Sequence, residues 1–224
     1  MLMRQKFLSL LAAVLLMLPA TLKAQELKVV LSESFETGIP ATWQNTTDRE
    51  TGALWATESG ASLVRPAGAA VGNSRAYLRN TTGKTIGFKT KLITPVLDLS
   101  GASNWVVRFR HAQVNRSINT DALRVYRRNS PTADWVLLAE YTAPISSWTQ
   151  EMIPLPQVSA TYQLAFEGVD NNAWGVVLDD VIVQEEPSCT TPHNLSVSEL
   201  TATSAKLIWI ASYDANNFQV VVFK

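Results

Sequence analysis

The chain has 224 residues, enough for one large domain or for a medium domain and part of another. Lys plus Arg equals Asp plus Glu at 19 each, and charged residues make up only 17% of the chain. The first 24 residues hold Arg4, Lys6 and Lys23 and no acid, so the remainder is slightly acidic and gives no reason to expect nucleic-acid binding.

Residues 1–24 read as a secretory signal: Arg4 and Lys6, an apolar run from Phe7 to Leu18, then Pro19 and a cleavage site at Leu22-Lys23-Ala24. The run is shorter than the roughly 20 apolar residues of a membrane-spanning helix, so no stable membrane span is expected. An amphipathic N-terminal helix is the competing reading, and the lack of a polar face counts against it. The location implied is outside the cell or on its surface. Cys189 is the single cysteine, so no internal disulfide can form and the fold must rest on its core or on a bound metal.

After residue 25 no run of ten residues keeps a helical period. Period-two runs recur instead. Trp105, Val107 and Phe109 alternate with Val106, Arg108 and Arg110. Leu123 and Val125 alternate with Arg124, Tyr126 and Arg128, and Tyr162, Leu164 and Phe166 with Thr161, Gln163 and Glu167. Each predicts a strand with one buried and one wet face. Residues Val176 to Val183 are apolar on both faces apart from Asp179 and Asp180, as in a central, covered strand. Turn formers separate these runs, among them Thr37-Gly38-Ile39-Pro40, Ser100-Gly101 and Asp170-Asn171-Asn172. Many short strands with such turns predict an all-β sandwich or jelly roll over residues 26–186.

Residues 187–192, within Glu185-Glu186-Pro187-Ser188-Cys189-Thr190-Thr191-Pro192, have linker composition. Beyond them, strands are expected at Pro192–Val197, at Ser204–Trp209 and at Asn217–Phe223. With Ala205, Leu207 and Trp209 on one face, residues 193–224 resemble the start of a fibronectin type III domain, a partial immunoglobulin-like β module. That fold takes roughly 90–100 residues, so the expectation is an incomplete module that is unstable alone. A short hairpin appendage is the alternative.

Three stretches carry a second resemblance: Glu33-Ser34-Phe35-Glu36-Thr37-Gly38-Ile39-Pro40-Ala41-Thr42-Trp43, then Leu92 to Ala102, then Leu178-Asp179-Asp180-Val181-Ile182-Val183. Trp148 to Leu155 adds a fourth. In this order and spacing they resemble the cleaved-adhesin domains of gingipain-type haemagglutinins, which are MAM-like jelly rolls. The resemblance implies a secreted, surface-located module that adheres to a host or matrix protein or to a glycan. Gln44 to Arg49 departs from the Asp- and Gly-rich stretch usual after the first Trp.

Calcium is the cofactor expectation. In such a jelly roll the first and last strands lie close, which brings Glu36 near Asp179 or Asp180. Carboxylates on a buried strand are expensive unless a cation or hydrogen bonds compensate, and calcium takes six to eight oxygens. The competing reading is that Asp179 and Asp180 accept backbone hydrogen bonds. For ligand contact, Trp55, Trp135 and Trp174 are candidate stacking residues, with Asn171 and Asn172 beside Trp174 as polar partners. Packing in the core or its rim is the alternative for each. Arg108, Arg110, Arg124, Arg127 and Arg128 could form a basic surface for an anionic glycan, or simply a solvated face.

Catalysis has little support. Only His111 and His193 exist, and no nucleophile elbow, zinc motif or phosphate loop is present. The function expected is therefore a non-catalytic binding module. The alternatives are a carbohydrate-binding accessory module of a larger secreted hydrolase or protease, and a spacer.

Overall fold

The computed structural model describes residues 28–60, 66, 68–79, 86–102, 104–186, 193–199 and 206–210. The expected signal segment, the linker with Cys189 and the third strand of the tail lie outside the described residues. Among the described residues there is no helix. In chain order the strands are β1 (Val29–Glu33), β2 (Gln44–Thr47), β3 (Ala56–Ser59), β4 (Ser74–Leu78), β5 (Lys89–Ile93), β6 (Trp105–Gln113) and β7 (Ala122–Arg128). They continue with β8 (Val136–Tyr141), β9 (Ile145–Pro154), β10 (Gln163–Val169), β11 (Val176–Glu185), β12 (His193–Ser198) and β13 (Lys206–Ile210).

Two antiparallel sheets form a sandwich. The first has the order β3-β4-β11-β6-β9, and the second β2-β5-β10-β7-β8. On the free side of β11, β4 pairs with residues Val176–Leu178 and β1 with Val181–Gln184, so the first and last strands of the sandwich are neighbours. Successive strands β5 to β11 pass between the sheets, with only β7 and β8 joined as a hairpin. β12 and β13 pair with each other, in agreement with the two strands expected there.

Burial explains the arrangement. Trp105, Val107 and Phe109 of β6 face Leu92 of β5, Val125 of β7 and Leu164 and Phe166 of β10 in one core cluster. Phe109 and Phe166 meet edge to face at 5.2 Å and tie one sheet to the other. The apolar run of β11 does occupy a central strand of its sheet, buried from Val176 to Asp179.

The expected wet faces do not all hold: on β6, Val106 is 1% exposed. β10 has no wet face: Gln163 and Glu167 are each 2% exposed. β10 is the middle strand of its sheet, and the long side chains of β5 and β7 lie across it. Glu167 is matched there by the Lys91 ammonium, by Arg124 Nη1 at 3.4 Å and by the Tyr126 hydroxyl at 3.2 Å. A buried carboxylate is tolerable only with such partners.

Candidate functional site

The pairing of β1 with β11 brings both ends of the sandwich to one loop, residues 68–74. Asp179, fully buried, accepts backbone hydrogen bonds through Oδ2 from Ala70 at 2.8 Å and Val71 at 3.0 Å. Its Oδ1 accepts from the Asp180 amide at 2.7 Å. Glu36, just after β1, reaches the same loop from the other side. Its Oε1 accepts from the amides of Asn73 and Ser74, both at 2.9 Å. Gly72 lies between them with φ +69°, and a Cβ there would overlap the Glu36 carboxylate. The expected triad is therefore split. Glu36 and Asp179 address one loop, while Asp180 sits in a β-bulge at φ 51° and points to Arg110, 3.4 Å away. Burial raises the Asp179 pKa against the pull of its hydrogen bonds, whereas the Ser74 and Asn73 amides lower that of exposed Glu36.

A second loop, residues 171–175, is built around a residue that the sequence reading missed. Asp121 precedes β7 and is 2% exposed. It accepts from the amides of Asn171 at 2.7 Å, Ala173 at 3.1 Å and Gly175 at 2.6 Å. Burial nevertheless raises its pKa, with the Asp170 charge adding to that. Asp170 holds the Asn172 amide at 3.2 Å and the Gly87 amide at 2.8 Å. Gly175 has φ +104°, and a Cβ there would meet the Leu78 carbonyl and Arg79. The chain is thus pinned through its backbone on both sides of Trp174.

Trp174 is 39% exposed, with the Arg116 guanidinium 5.3 Å from its ring centre. Ile118, in the same turn as Arg116, is 94% exposed. Asn171 Nδ2 donates to the Thr120 carbonyl at 2.9 Å, so this side chain braces the loop. Asn172 is half-buried with φ 63° and shapes the turn. Of the expected ligand-binding set, Trp174 is presented outward, and Arg116 joins it without any sequence signal.

A family model described as MAM domain, meprin/A5/mu, matches residues 34–190. The chain belongs to the MAM family. No curated protein sequence matches it. Among solved structures it is similar to the K1 cleaved adhesin domain of Lys-gingipain from Porphyromonas gingivalis, with TM-score 0.57 and 23% identity over 70% of this chain and 98% of that one. The K3 cleaved adhesin domain of the same protein gives TM-score 0.53 and 20% identity over 72% of this chain and all of that one. At these identities the likeness is one of fold: a cleaved-adhesin, MAM-like jelly roll.

Other candidates in this MAM domain fall into place. Trp55 is core, 3% exposed, with Nε1 donating to the Thr90 carbonyl at 3.0 Å. Trp135 is half-buried, with Arg128 stacked 4.4 Å from its ring centre. The five arginines form no single surface. Arg108 and Arg110 lie on β6 of the first sheet, Arg124 and Arg128 face outward on β7 of the second, and Arg127 is turned inward onto Asn129 and Gln157. His111 is fully buried beside Tyr141, ring centres 4.4 Å apart, and burial lowers its pKa. Among the described residues, no three His, Cys, Asp or Glu side chains gather as a metal cluster, and no helix is long and apolar enough to cross a membrane.

Proposed function

We propose that this MAM domain is a secreted or cell-surface module, non-catalytic, that binds a host or matrix protein or a glycan through the Trp174 loop. The observation that carries the reading is an exposed tryptophan on a backbone fixed in advance by Asp121. Prior ordering of a contact residue lowers the entropy lost on binding. The likeness in fold to adhesin domains supports it. A combined glycan and matrix-protein array with the full chain tests it. Binding that falls at least tenfold in Trp174→Ala at unchanged melting temperature is expected, about 1.4 kcal/mol. Equal binding by the variant contradicts it.

Calcium belongs to the same proposal. Glu36 and Asp179 offer hard carboxylate oxygens to one loop whose carbonyls could complete a shell, and that chemistry suits calcium. Asp180, engaged with Arg110, is left out of the set. Bound there, the ion would tie the first and last strands of the sandwich together through residues 70–74. Melting temperature should rise with calcium over EDTA, because the folded state gains about 2.7 kcal/mol at a hundredfold excess over Kd. Glu36→Gln keeps an acceptor for the two amides, so it should fold and lose the calcium response. A response unchanged in that variant places the ion elsewhere.

A further inference from the structure

We propose that the outer face of the second sheet is a separate site, for an acidic polysaccharide carrying sulfate or carboxylate groups, with Arg128 as its anion-taking residue. The inference rests on the reading as a binding module but uses a different surface from the Trp174 loop.

Register defines the face. Lys91, Glu167, Arg124 and Glu140 lie side by side across β5, β10, β7 and β8, and Gln163 pairs with Arg128 further along. Along β7 the outward residues are Arg124, Tyr126 and Arg128, about 7 Å apart by strand geometry. Across these strands the outward cations are Lys89, Lys91, Arg124 and Arg128, four against the two carboxylates Glu140 and Glu167. Much of this charge is spent internally. Arg124 Nε donates to Glu140 at 2.6 Å, and both Arg124 and Lys91 engage Glu167.

Arg128 differs. No acidic group pairs with it among the described residues. Its Nε and Nη2 both donate to Gln163 Oε1, at 3.0 and 2.7 Å. Gln163 is itself fixed, because its Nε2 donates to the buried Thr94 carbonyl at 2.9 Å. Trp135 supplies a stacking surface under the guanidinium at 4.4 Å. The fork is thus held by a neutral partner and an aromatic ring, no carboxylate offsets its charge, and among the described residues Nη1 makes no hydrogen bond. That is the arrangement of an anion receptor: oriented N–H groups, positive charge and little reorganisation on binding. Lys91, 5.1 Å above the Tyr126 ring, and exposed Lys89 extend positive potential along the sheet, which suits a polymer with repeated negative groups. A nucleic acid would share the charge, so it serves as a comparison in the test.

The experiment is titration of the full chain with dextran sulfate, polygalacturonate, neutral dextran and single-stranded DNA, at low and at physiological salt. Binding to at least one acidic polysaccharide, weaker at high salt and absent for neutral dextran, is expected; which polymer binds tells sulfate from carboxylate. Arg128→Gln should weaken it about tenfold at unchanged melting temperature, and Trp135→Ala a few-fold, about the worth of one exposed cation–π contact. Equal affinity in wild type and Arg128→Gln overturns the site, as does tighter binding of DNA than of either polysaccharide. Silence towards both polyanions, with a Trp174-dependent ligand still found, overturns this site alone. Silence towards every probe and array ligand overturns the binding-module reading as well.

Discussion

Two loops of this domain are held by carboxylates, and they are held differently. At residues 171–175, the single buried side chain of Asp121 takes three amides. At residues 70–74, the work is divided between buried Asp179 and exposed Glu36, from the last and first stretches of the sandwich. The first grip is set by burial: desolvation raises the Asp121 pKa above its ordinary 3.8. Around Glu36 hydrogen bonding wins, and its pKa falls below the ordinary 4.5. A carboxylate can therefore shape a loop in either regime. The buried one builds a fixed platform, and the exposed one keeps an oxygen edge in reach of solvent and ions.

The largest effect is expected at Asp121. Asp121→Ala leaves three amides without their acceptor, some of which water will reach, and should cost about 3 kcal/mol. For a chain of this size that lowers the melting temperature by roughly 10 °C. A drop of a degree or two would mean that the loop is held by something else.

The smallest effect is expected at Glu36, and it depends on pH. A carboxylate whose pKa is lowered on folding stabilises above its unfolded value, and this is lost as pH falls through the folded value. In EDTA, the gap in melting temperature between wild type and Glu36→Gln should be widest above pH 4.5 and close below it. A gap independent of pH would show that charge plays no part in that grip. The buried aspartates run the other way. Ionising Asp121 or Asp179 subtracts from stability as pH rises through their raised values.

Much of the fold was legible because it rests on local periodicity. The alternation at Trp105–Phe109 and the double-sided apolar run at Val176–Val183 each follow from what a strand buries on its two faces. Parity along a strand says which residues share a face, but not which sheet the strand joins. For that reason the five arginines looked like one surface and are spread over two sheets and the interior. Glu167 and Gln163 looked wet because the long side chains that cover them come from other strands. Trp174 could be picked out as an aromatic in a polar loop. Asp121 could not, because its partners lie 50 to 54 residues along the chain and no spacing rule connects them. Arg116 was hidden for the same reason.

The central claim is that the recognition loop is formed before any ligand arrives. Amide hydrogen exchange of the unliganded full chain at neutral pH tests it most directly. The amides of Asn171, Ala173 and Gly175 should exchange as slowly as those of β10, and speed up in Asp121→Ala. Exchange of these three amides at the rate of an open loop in the wild type would contradict the account.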